Sequence, residues 1–151
     1  MSIVIDASVA LKWIFDEAGS DAALALRADE LIAPILWLGE AANALWRHVR
    51  LGEVTAKEAL ELMSELAKAP VTPVSIEPYV LRALQLAADL NHPVYDCLYL
   101  ALALDRQTHV ITDDRRFAAA ANKPGFEGRV LLLGDEPPPT RRRRRRGGPS
   151  R

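Results

Sequence analysis

The chain has 151 residues, half of them hydrophobic and 26% charged, which suits one globular domain with its own core. A single cysteine, Cys97, excludes an internal disulfide; with no signal-like start and no apolar run near the roughly 18 residues that span a bilayer, a cytoplasmic protein with no membrane partner is expected. Arg141–Arg146 and Arg151 hold seven of the nineteen cations, so the rest of the chain sets twelve Lys and Arg against twenty Asp and Glu, an excess that favours a cation-requiring site over plain nucleic-acid binding.

Short β-branched runs alternate with longer helical patterns. Ile3-Val4-Ile5 reads as a buried strand, followed by a helical pattern over 7–15. Leu31-Ile32-Ala33 reads as a second strand, with Pro34 at the boundary before a helix that runs to about Arg50 and stops at Gly52. Thr55-Ala56-Lys57-Glu58 is a capping box that opens a helix to about Ala67, with an apolar stripe of Leu60, Leu62, Met63 and Leu66. Pro70 and Pro73 bracket a loop leading into a Val74-Ser75-Ile76 strand, and a helix over 77–90 starts with Pro78 in its first turn. Asn91-His92-Pro93 is a turn before a strongly apolar helix over 94–105. Val110-Ile111-Thr112 is a strand, 115–121 a short helix, and Val130-Leu131-Leu132 a last strand.

Strands separated by helices imply right-handed crossovers and a parallel sheet covered on both faces. Such sheets place their sites beyond the carboxyl ends of the strands, at a switch in strand order. The domain is expected to span 1–134. Residues 135–151, with Pro137-Pro138-Pro139, the arginine run and Gly147-Gly148, have the composition of a disordered tail. Fully extended, the 17 residues after Gly134 reach roughly 55 Å, against a globule whose radius of gyration is about 14 Å. Transient visits to an acidic pocket, in competition with a cation or substrate, are therefore within reach.

Five acids stand where such a site would be. Asp6 follows the first strand, Asp113 and Asp114 follow the Val110–Thr112 strand, Asp96 opens the apolar helix, and Glu40 interrupts an apolar run between Leu36 and Ala42. Each alone has an ordinary structural explanation as a cap or a solvated side chain. Together they repel by about 4 kcal/mol per close pair at an effective dielectric near 20, unless a cation or shared protons neutralise them. Hard oxygen donors suit Mg²⁺ or Mn²⁺, and His48, His92, His109 and Cys97 lack the spacing of a zinc site.

Four segments carry a further resemblance: Ile5-Asp6-Ala7-Ser8, Glu40-Ala41-Ala42-Asn43, Val94-Tyr95-Asp96, and Thr112-Asp113-Asp114-Arg115-Arg116-Phe117. In this order they resemble the PIN domain, and more closely the VapC-type toxins of VapBC toxin–antitoxin modules, over residues 2–134. The resemblance implies a three-layer α/β/α sandwich with a central parallel sheet. It also implies a Mg²⁺-dependent endoribonuclease, with Mn²⁺ a possible substitute, that cleaves RNA as a toxin and is neutralised by a VapB-like antitoxin. A homodimer is the expected assembly. Carried over by position, Asp6, Glu40, Asp96 and Asp114 are the metal ligands and catalytic acids. Asp113 takes an outer role, and Ser8, Asn43 and Thr112 support the carboxylates, against the alternative of ordinary local hydrogen bonding. Arg115 and Arg116, at a helix start, are candidates for RNA phosphate; Lys12, Arg47 and Arg50 are weaker ones, and the aromatic residues, Tyr99 among them, read as core or interface. The alternative is a catalytically silent PIN-like module that only binds RNA or protein.

Overall fold

The computed structural model describes residues 1–135. Five parallel strands form one sheet in the order β3-β2-β1-β4-β5: β1 (Ile3–Ile5), β2 (Leu31–Pro34), β3 (Val71–Val74), β4 (Val110–Thr112) and β5 (Val130–Leu132). The chain lays down β1, β2 and β3 in one direction and then returns to the other side of β1 for β4 and β5. The switch point therefore lies between β1 and β4, where Val4 pairs with Val110 and Ile5 with Ile111.

The helices are α1 (Ala7–Ala10), α2 (Ser20–Ala25), α3 (Trp37–Arg50), α4 (Ala56–Leu66), α5 (Val80–Leu90), α6 (Val94–Asp105) and α7 (Arg115–Ala120). They complete an α/β sandwich with two cores. The larger gathers Val4, Val110 and nearly the whole of α6; the smaller joins Ile111 to Val9, Ala23 and Leu26. Val110 and Ile111 fall in different cores because successive strand residues point to opposite faces. Helix α6 packs on β1, β2 and β4, with every residue from Cys97 to Ala103 buried. Its apolar character on all sides follows from that central position.

Local chemistry explains most boundaries. Thr55 accepts a hydrogen bond from the Glu58 N–H at 3.1 Å, and Glu58 accepts one from the Thr55 N–H at 3.0 Å, so the expected capping box opens α4. Beyond the end of α3, Gly52 takes the left-handed conformation at φ +75°.

Five expectations are corrected. The third strand is Val71–Val74, not 74–76, and it contains Pro73; β3 is an edge strand, where a missing N–H is tolerated. Strand β2 extends through Pro34, which is fully within the sheet pairing opposite Val74. The 77–90 helix begins as a 3-10 turn at Glu77–Tyr79, and the 7–15 pattern divides into α1 and a 3-10 turn at Leu11–Trp13. The stretch between Phe15 and Leu31, without an expected element, holds α2, whose six residues are too few for a helical period to register. The Pro/Arg-rich segment expected to be a tail lies, from residue 136 on, outside the described residues.

Candidate active site

The carboxyl ends of β1 and β4 are adjacent, and a hydroxyl network joins them. Asp6 is the first residue after β1 and is 6% exposed. Its Oδ2 accepts hydrogen bonds from Thr112 Oγ1 at 2.6 Å and Ser8 Oγ at 2.9 Å. Each hydroxyl has one proton, and each gives it to Asp6. Their lone pairs face the next loop: Ser8 Oγ accepts the Asp113 N–H and Thr112 Oγ1 the Asp114 N–H, both at 3.0 Å. Asp6 Oδ2 is thus fixed from two elements, while Oδ1 is claimed by neither hydroxyl.

Asp113 and Asp114 diverge from the same turn. Asp113 turns outward, where its Oδ2 lies 3.2 Å from Lys12 Nζ. Asp114 is the N-cap of α7, with Oδ1 accepting the Arg116 and Phe117 N–H groups at 2.8 and 3.3 Å. Glu40 lies in the first turns of α3, and its Oε1 accepts a 2.6 Å hydrogen bond from Tyr99 Oη. Asp96, in the first turn of α6, meets His92 Nε2 at 2.6 Å through Oδ2.

Electrostatic coupling links four of the acids. Burial raises the Asp6 carboxyl above its ordinary range, opposed by its two hydroxyl donors and reinforced by the charges of Asp96 and Asp114. Burial likewise pushes Glu40 up to about 7, against the Tyr99 hydrogen bond and aided by Asp6 and Asp96. Asp96 is raised by burial and by Asp114, with His92 opposing. Asp6, Glu40, Asp96 and Asp114 therefore form a connected set of mutually repelling carboxylates.

Among the described residues, no three His, Cys, Asp or Glu side chains close into a ready-made metal cage. The donor set nevertheless fits a hard cation that keeps part of its water, as Mg²⁺ does when held by one or two carboxylates. Lys12, the one buried Lys or Arg among the described residues, is occupied by Glu17, Asp113 and the Ala18 carbonyl. That engagement and its 6% exposure also remove Lys12 from the candidates for RNA contact.

A profile described as the PIN domain matches residues 3–123. The chain belongs to the PIN-domain family. Within that family it is 34% identical over 123 residues to Ribonuclease VapC3 of Pyrobaculum aerophilum, an alignment covering 78% of this chain and 93% of the relative. Three solved PIN-fold neighbours share its architecture at low identity. PAE2754 of Pyrobaculum aerophilum superposes with a TM-score of 0.68 at 23% identity, covering 89% of this chain and 85% of that one. VapC20 of Mycobacterium tuberculosis, described as a sarcin–ricin loop cleaving toxin, gives 0.62 at 17% identity, covering 82% and 95%. VapBC2 of Rickettsia felis, solved with a promoter DNA fragment, gives 0.57 at 11% identity, covering 87% and 97%.

Hydrogen bonds and charge coupling link Asp6, Ser8, Thr112, Glu40, Asp96 and Asp114, and three further side chains contact the acids. Tyr99 bonds Glu40, whereas Asn43 is exposed and makes no side-chain hydrogen bond among the described residues. His92 engages Asp96, and Lys12 holds Asp113. Helical spacing offered a signal for Tyr99, which lies three residues after Asp96 on α6. Arg115 and Arg116 are exposed at the start of α7, beside the Asp114 cap.

Proposed function

We propose that this PIN-domain protein is a divalent-metal-dependent endoribonuclease that hydrolyses RNA phosphodiester bonds and acts as a VapC-type toxin under the control of a cognate antitoxin. The feature that carries this reading is the electrostatic coupling of Asp6, Glu40, Asp96 and Asp114 beside the β1/β4 switch point, with the proton affinity of Asp6, Glu40 and Asp96 raised. One relative is a ribonuclease and one structural neighbour a sarcin–ricin loop cleaving toxin, which supports RNA as the substrate class. The VapBC2 complex supports a VapB-like partner.

In this reading Asp6, Asp96, Asp114 and Glu40 hold Mg²⁺ or Mn²⁺, directly or through water. The bound ion would supply charge for the scissile phosphate and lower the pKa of an attacking water. Ser8 and Thr112 favour the ionised form of Asp6 by donating to it, against the effect of its burial. Glu40, whose carboxyl titrates near 7, is suited to exchange a proton with that water. Asp114 orients α7 so that Arg115 and Arg116 meet RNA phosphate at a helix start. Asp113, held by Lys12, acts outside the inner set. Residues 1–134 suffice for this chemistry, and the protein acts in the cytoplasm as a homodimer.

The test is cleavage of single-stranded RNA by the purified full chain in Mg²⁺. Loss of cleavage in EDTA and in Asp96→Asn is expected. Undiminished cleavage in either would overturn the metal mechanism.

A further inference from the structure

His92 connects two of the acidic side chains that arrive from different parts of the chain. Its backbone is fixed first: the N–H donates to the Ala87 carbonyl at 3.1 Å, and Asn91 before it takes the left-handed conformation that ends α5. The ring is then gripped on two sides. Nε2 meets Asp96 Oδ2 at 2.6 Å, and the ring stacks on Phe117 with centroids 5.4 Å apart and planes within 13°. A carboxylate only accepts, so Nε2 carries the proton in this contact. Phe117 is fully buried, and its own N–H is one of the two that Asp114 caps.

The path Asp96–His92–Phe117–Asp114 therefore ties the N-terminus of α6 to the N-terminus of α7. Without it, Asp96 could leave its present rotamer, because mutual repulsion drives it away from Asp6 and Asp114. We propose that His92 is a positioning residue that holds Asp96 at its working separation from Asp114, so that the two carboxylates form one cation site. This rests on the metal-dependent reading above and assigns His92 no contact with the ion or the RNA. Partners that orient metal-ligating side chains typically change metal affinity 10- to 100-fold when removed.

The experiment measures Mn²⁺ binding to the full chain by calorimetry and by the Mn²⁺ spin-resonance signal, alongside cleavage as a function of Mn²⁺. His92→Ala is expected to weaken Mn²⁺ binding about 10- to 100-fold. Its cleavage should return to near the wild-type kcat when Mn²⁺ is raised, since the ion site is loosened and not removed. His92→Gln places an amide N–H near the position of Nε2 and should recover part of the affinity, though not the stacking on Phe117. Wild-type Mn²⁺ affinity in His92→Ala, while Asp96→Asn abolishes binding, would overturn the role of His92 alone. A His92→Gln variant as weak as His92→Ala would overturn the hydrogen bond to Asp96 as the means of positioning. Unchanged binding in Asp96→Asn would instead overturn the metal reading on which the role depends.

Discussion

Glu40 shows how one side chain joins stability to chemistry. Its carboxyl titrates near 7 in the fold, chiefly through burial, against an ordinary value of 4.5. Below about 4.5 it is protonated in both the folded and unfolded chain. Between 4.5 and 7 the unfolded chain releases the proton first, so the metal-free protein loses stability as pH rises through that window and then levels off. Glu40→Gln keeps an oxygen for Tyr99 while removing the charge. Thermal or urea unfolding without metal should find this variant more stable than wild type at pH 8, on the order of 1–2 kcal/mol after allowing for the solvent that reaches Glu40, and equal to it near pH 4. A wild-type pH profile in the variant would count against the raised carboxyl.

At the scale of elements, Asp114 serves both α7 and the acidic cluster, and two substitutions separate these duties. Asp114→Asn retains a side-chain oxygen for the Arg116 and Phe117 N–H groups, so α7 should keep its cap. Asp114→Ala loses it and should unfold about 1 kcal/mol more easily. Both lack the charge, and both should lose RNA cleavage, measured with melting curves on the same preparations. Loss of cleavage in Asp114→Ala only would mean that the cap, and not the carboxylate charge, is what activity needs. The elements themselves were unequally legible. The Thr55–Glu58 capping box and Gly52 marked helix ends by local chemistry, which reads the same in any context. Strand β3 was misplaced because Pro73 argues against a strand only when both edges are paired, and edge position is a property of the sheet.

For the molecule as a whole, charge is the feature to test. The terminal arginines oppose a body with an acidic excess of eight, and the chain is close to neutral only because the two are joined. If the tail competes for the acidic pocket, deleting residues 140–151 should raise Mn²⁺ affinity and RNA cleavage in low salt, with the difference fading as salt screens the attraction. Calorimetry and cleavage at two ionic strengths would check this. Equal values for the truncated and full chains would remove the tail from the mechanism.

The sequence by itself determined the alternation of strands and helices, the burial of α6 and the identities of the acids, because period, capping residues and isolated charges in apolar runs are local signals. Tertiary structure alone decided their arrangement. Pairing of β1 with β4 brought Asp6 to Thr112 across more than a hundred residues, and packing of α6 over the sheet brought Tyr99 to Glu40. The turn after β4 separated Asp113 from Asp114, since adjacent residues in a turn point apart and only the fold sets which of them meets Lys12. His92 gained its place in the same way, for a histidine in a turn has no distinctive pattern until Phe117 arrives from a distant helix to stack on it.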